Sequence, residues 1–209
     1  MYRLCFILIV IFFGSNYVTA QKTIKKEFSA EGINTLSIVD DAVFKITINS
    51  SEGKDIKLSV QISGEHSEDI IIEEHFSENK LSLQTGFSPF VLLEDDKLAA
   101  HKVLAVEIML VVPSTISVEV KSRLASVFAE GNFSALAVSI ENSNCELRNF
   151  SGNAHLKTKD GNINVVAERD VSGIAISKYG TVENMLPKHG KFSVEAESIN
   201  GNIRLLQTK

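Results

Sequence analysis

The chain has no tryptophan, three prolines and two cysteines in 209 residues. Cys5 lies in an apolar run at the very start. Once that run is removed on export, Cys145 stands alone and no internal disulfide can form. Stability must then come from burial and backbone pairing. After Phe13 no stretch is long and apolar enough to span a bilayer as a helix. Strong charge of one sign is also missing. A formal charge of −5 argues against nucleic acid or anionic lipid as the main partner. Signatures of chemistry are absent as well. His66, His75, His101, His155 and His189 do not stand at ligand spacing from one another or from a cysteine. Glu73 and His75 share one face of a strand, which supplies only two ligands. There is no G-x-S-x-G elbow, phosphate loop or H-E-x-x-H helix. Charges in the second half alternate in sign, as on a solvated face. No cofactor, metal or enzymatic activity is expected.

The first 20 residues read as a signal peptide. Arg3 gives a positive start, Leu4 to Phe13 are unbroken apolar residues, and Val18-Thr19-Ala20 offers small residues for cleavage. The mature chain is expected to begin at Gln21, exported to the periplasm, the cell surface or the medium. No cysteine stands just after the apolar run, which argues against a bacterial lipid anchor. Valine, isoleucine, serine and asparagine are abundant, which favours strands joined by polar turns.

Residues 21–115 show strand-like alternation. Phe44, Ile46 and Ile48 are expected on one face, and Ile56, Leu58, Val60 and Ile62 form a second row. Asn49-Ser50-Ser51-Glu52-Gly53 between them suits a hairpin. Ile70 to Ile72 and Leu81 to Leu83 suggest two more strands. Val106, Ile108, Leu110 and Val112 make the longest alternation, stopped by Pro113. Residues 86–102 interrupt the pattern and read as a connection covering an open sheet end, with a lid or binding loop as the alternative.

Residues 116–209 carry a loose repeat. Val127, Cys145, Ile163, Val182 and Ile203 are 18, 18, 19 and 21 positions apart. Each opens a short strand after a turn-prone stretch, most clearly Asp160-Gly161-Asn162 and Asn200-Gly201-Asn202. A second set precedes each turn: Val118–Val120, Val138–Ile140, Leu156–Thr158, Ile174–Ile176 and Val194–Ala196. Two strands and two turns in about 20 residues predict a solenoid. The fold class is therefore all-β, a β-solenoid or single-stranded β-helix. About five short rungs are capped by the strand-rich first half, as one continuous domain. Alignment puts Cys145 in a buried aliphatic column. Phe133, Phe150 and Phe192, beside corner glycines, are expected to pack inside. The last rung, ending at Lys209, is expected to be the uncapped end.

The segment Val106-Glu107-Ile108-Met109-Leu110-Val111-Val112-Pro113, followed by short rungs with Gly-Asn-Ile turns, resembles the "putative adhesin" families of exported bacterial proteins. These include the head GIN domain proteins of Bacteroidetes. The resemblance spans about Gly32 to Leu206 and implies an exported β-solenoid with no catalytic residues to carry over. The function expected is a non-catalytic binding module for a glycan or an envelope component. The outward row Asn144, Asn162 and Asn202 is the candidate ligand contact. The alternative is a structural or envelope-stress-sensing domain that works by protein contact, including self-association through the solenoid ends.

Overall fold

The computed structural model describes residues 21–64, 67–89 and 104–208. The leader, His66, His101 and most of the 86–102 insertion lie outside them. In chain order the strands are β1 (Gln21–Ser29), β2 (Thr35–Val39), β3 (Val43–Ser51), β4 (Asp55–Gly64) and β5 (Ile70–Ser77). Next come β6 (Lys80–Phe87), β7 (Leu104–Pro113), β8 (Ser117–Ser122), β9 (Ser126–Ile140) and β10 (Cys145–Thr158). The last are β11 (Ile163–Ala167), β12 (Val171–Ser177), β13 (Val182–Asn184), β14 (Phe192–Ser198) and β15 (Ile203–Gln207). Alternating aliphatic and polar residues give most of these strands one dry face, and stacking the dry faces yields a flattened β-solenoid. The fold class predicted from the repeat is the one observed.

Each coil has a back-face strand followed by a front-face strand. The front runs β1-β4-β7-β3-β9-β10-β11-β15-β13. The back runs β5-β6-β2-β8-β9-β10-β14-β12. Strands β9 and β10 bend between faces and serve both, with Gly131 (φ 105°) and Gly152 (φ 136°) at the bends. These φ values are costly for residues with a Cβ. Pairing is parallel except where β1 and β4 extend the front from β7, and β5 the back from β6. One buried aliphatic cluster runs from Leu36 to Leu205. Cys145 is fully buried there, in register with Val127 and Ile163, and Ile163 with Ile203. The Phe133 and Phe150 rings stack at 5.8 Å.

The spatial order of coils departs from chain order at both ends. Coil β2–β3 lies inside β6–β7, and coil β14–β15 lies inside β12–β13. Two expectations are corrected. Strands β3 and β4 do not form a hairpin, because β7 sits between them and pairs with both. This satisfies the backbone of β7 on each side, as a buried strand requires. Nor does the C-terminal rung form the open end, since β15 is sandwiched between β11 and β13.

Two side-chain rows also shift. A register irregularity after Val43 leaves Val43 buried and turns Phe44 outward. On β12, Gly173 pairs with buried Val194 and Ala175 with buried Ala196, so Ile174 and Ile176 face out. The reason is Leu186, which is buried against Gly173, where a Cβ would stand 2.9 Å from its Cδ1. Small inward residues on β12 leave room for this leucine to plug the end of the core.

The opposite end is closed differently. Lys22 and Lys26 occupy core-side positions of β1, in register with buried Ile62 and Leu58 of β4. Lys22 donates to the carbonyls of Glu68 (2.6 Å) and Ile70 (3.0 Å), and Lys26 pairs with Glu74. Phe28 meets Phe76 edge-on at 6.2 Å. Inward-pointing charges of this kind discourage an edge strand from pairing with another chain.

Candidate functional site

The back face carries the most regular polar surface. Its central strand, the second half of β9, presents only small outward residues: Ala135, Ala137 and Ser139. The neighbours are larger. Strand β8 contributes Glu119 and Lys121, and β10 contributes Asn153, His155 and Lys157. The strand therefore forms the floor of a trough. Two connected depressions result, about 300 Å³ around Ala137, Ser139 and Lys121 and about 420 Å³ around Ala135, Asn153 and Ser193.

Ladder register fixes rows that cross the trough. One row runs Ser37, Glu119, Ala137, His155, Glu195; the next runs Val39, Lys121, Ser139, Lys157, Glu197. Adjacent members stand ~4.8 Å apart across the sheet. Most polar groups have partners: Lys80 pairs with Glu119 (2.6 Å) and Lys157 with Glu197 (3.1 Å), and His155 Nδ1 stands 3.3 Å from the Glu195 carboxylate. The arrangement can hold an elongated polar ligand by repeated hydrogen bonds. Among the described residues, no three His, Cys, Asp or Glu side chains converge as a metal site. His75 lies on the same face, opposite Ser82.

Asn144, Asn162 and Asn202 are brought together, stacked at one corner of successive coils. The backbone N–H of Asn162 donates to Oδ1 of Asn144, and that of Asn202 to Oδ1 of Asn162, each at 2.9 Å. Thr181 continues the ladder, its N–H donating to Oδ1 of Asn202. The Oδ1 atoms thus tie coil to coil. Beside them run hydroxyls that cap the turns: Ser198 accepts from Gly201 N–H, and Ser177 from Gly180 N–H. The front face has a further depression of about 360 Å³ near Lys45, Phe128 and Arg148. Its charges are paired internally, Lys45 with Glu107 and Arg148 with Glu146.

Sequence reasoning missed the trough. Its signal was the run Ala135-Leu136-Ala137-Val138-Ser139, small on one alternation while β8 and β10 carry charge on theirs.

This geometry defines a polar-faced β-solenoid without a recognisable catalytic centre among the described residues. Residues 18–208 match the Toastrack DUF4097 family, and the chain belongs to it. A crystal structure of a "putative cell adhesion protein" from Clostridium sporogenes has a similar fold, at 18% identity, covering 90% of this chain and 100% of that one, with a TM-score of 0.62. A "putative adhesin" of Bacteroides fragilis is similar over 88% of this chain and 97% of its own, at 14% identity and a TM-score of 0.37. One of Parabacteroides merdae is similar over 87% and 80%, at 14% identity and a TM-score of 0.39. No curated protein matches significantly.

Proposed function

We propose that the chain is an exported, non-catalytic, adhesin-like module of the bacterial envelope that binds an extended glycan or envelope component along the back-face trough. The observation that carries this reading is the strip Ala135, Ala137 and Ser139 between charged walls, with polar groups repeating across it. A polymer with repeating hydroxyl groups meets donors and acceptors at a matching regular interval, and the small floor lets it approach the sheet. The fold shared with the Clostridium sporogenes protein, itself named for cell adhesion, supports the same class of role.

The column of Asn144, Asn162 and Asn202 is the second candidate contact. Its Oδ1 atoms are committed to backbone, so a ligand would meet the Nδ2 groups.

The test is a glycan array with an envelope pull-down, using the chain from Gln21 onward. Saturable glycan binding is expected. Arginine at Ala137 and Ser139 together fills the trough and should weaken binding at least ~10-fold with the melting temperature held. Unchanged affinity in that variant removes the trough. A protein partner with no glycan signal moves the reading to a structural or sensing domain.

A further inference from the structure

The two depressions of the back-face trough differ in chemistry. The smaller is lined by Lys80, Lys121 and Lys157 around Ser139, with Glu119 as its one carboxylate. The larger is lined by Thr35, Ser117, Asn153 and Ser193, with Glu119 and Glu195 at its border. We propose that the trough takes an acidic glycan in which a charged sugar neighbours a neutral one. Its anionic group (a carboxylate or a sulfate) lies over Ser139 against Lys121, and the neutral ring lies over Ala135. This inference rests on the trough as the binding site and names the class of polymer that the trough selects.

Lys121 carries the argument. The carboxylates that border the trough are engaged, Glu119 by Lys80 and Glu197 by Lys157, with Glu195 beside His155. Lys121 is exposed and makes no ion pair among the described residues. Its neighbours in register, Val39 and Ser139, are uncharged. The carboxylate that bears on it electrostatically is Asp41, which Arg123 already holds through its backbone N–H (2.8 Å) and Nε (2.6 Å). The row Val39, Lys121, Ser139, Lys157, Glu197 thus sets two ammonium groups against one carboxylate. Ser139, between the two lysines, adds a hydroxyl donor. Lys121 and Lys157 are two strand spacings apart, ~10 Å at the backbone, a gap that two lysine side chains can close on one anion. Lysine offers a point charge without the bidentate fork of arginine, so the site reads charge more than the shape of one anion. The chain's formal charge of −5 does not oppose this, because charges beyond ~8 Å are largely screened at physiological salt.

The larger depression suits a neutral ring. Asn153 Oδ1 accepts from Ser193 N–H (3.1 Å), which leaves Nδ2 to donate outward. The hydroxyls of Thr35, Ser117 and Ser193 flank the Ala135 floor. A second anion here would meet Glu119 and Glu195, so a polymer charged on every sugar is disfavoured. Ala135 and Ser139 lie four residues apart on β9, ~13 Å along the strand, so both depressions fall under one extended oligosaccharide.

The experiment is isothermal titration calorimetry of the chain from Gln21 onward with three probes. They are a hyaluronan oligosaccharide, whose carboxylates recur on alternate sugars, the same oligosaccharide carboxyl-reduced to a neutral form, and a keratan sulfate oligosaccharide. At least one acidic probe is expected to bind ~5-fold or more tightly than the neutral one, and which one does so identifies carboxylate or sulfate. Lys121→Gln should weaken the acidic probe ~5-fold and Lys121→Glu ~20-fold, with the neutral probe and the melting temperature unchanged. Equal affinity for acidic and neutral probes overturns the inference, as does an acidic probe indifferent to both variants. The trough reading survives either result if Ala137→Gln with Ser139→Gln, which fills the floor without adding charge, weakens every probe. If none of the three binds, the inference fails, and the glycan array decides the trough reading separately.

Discussion

Gly201 is a position at which one added methyl group should do severe damage. Gly161, Gly201 and Gly180 form a column at one corner of three neighbouring coils. A Cβ on Gly201 would overlap the carbonyl oxygen of Gly161 and stand 2.5 Å from its carbonyl carbon and 2.9 Å from Ser198 Oγ. The φ angle at Gly201 is not in the left-handed region, so close approach rather than backbone conformation demands glycine. Relief needs ~1 Å of extra separation between coils, since non-bonded carbons settle at ~3.5 Å or more. The hydrogen bonds joining those corners would have to stretch with it. They include Ile163 N–H to the Asn202 carbonyl and Asn202 N–H to Asn162 Oδ1, both 2.9 Å. Two such bonds contribute ~1 kcal/mol each, and overpacking adds ~1–3 kcal/mol. Gly201→Ala should therefore cost ~3–5 kcal/mol, a fall of ~10 °C in Tm for a domain of this size. Gly53→Ala is the control: a Cβ there meets only Ser51 Oγ, at 3.3 Å. Thermal denaturation followed by circular dichroism decides. If Gly201→Ala melts within about 2 °C of the parent, the close stacking of this corner is wrong.

Two further outcomes follow from buried and corner polar groups. Burial pushes the Cys145 thiol up to about 12 from its ordinary value near 9, with Glu146 adding to the effect. The folded chain keeps the proton where the unfolded chain loses it, so this contribution is complete below pH ~9 and falls as pH rises towards 12, by up to ~1.4 kcal/mol per pH unit. Urea midpoints from pH 8 to 11 should decline less steeply for Cys145→Val, and equal slopes would refute the assignment. Replacing Asn144, Asn162 and Asn202 together by alanine removes three acceptors from backbone N–H groups. Because the corner is exposed, water replaces them in part, and a loss of ~2–3 kcal/mol without unfolding is expected. A variant as stable as the parent would show that the ladder ties nothing.

Much of the fold is legible because alternation reports directly on which side of a strand is dry. Val106, Ile108, Leu110 and Val112 are all buried, as are Val118, Val120, Val138 and Leu156. The repeat places Cys145 between Val127 and Ile163, and the ladder confirms it. What alternation does not encode is the layer. One aliphatic row stacks equally well on any other, so nothing local says that β7 separates β3 from β4, or that β15 precedes β13 in space. Ile174 and Ile176 mislead for a related reason. They imitate an inward pair, while the inward positions are filled from outside the strand by Leu186. The trough is hidden likewise, because it exists only where small residues on one strand meet long ones on two others.

The exchange of coils at both ends has a physical consequence for a solenoid. In a simple spiral the two chain ends would be the two open ends, and each could fray one strand at a time. Here β2–β3, the first coil in sequence, and β14–β15, the last, are each held between two others. At one end β6–β7 is covered in turn by β4 with β1 and by β5. At the other, β12–β13 is outermost and is tethered to the fold at both of its own ends, so its loss requires a whole loop to lift away, which makes opening there more cooperative than peeling. Such closure permits one end to remain apolar without unravelling. Lys22 and Lys26 cross the end at β1, whereas the β12–β13 end keeps Ile174, Ile176 and Tyr179 in solvent.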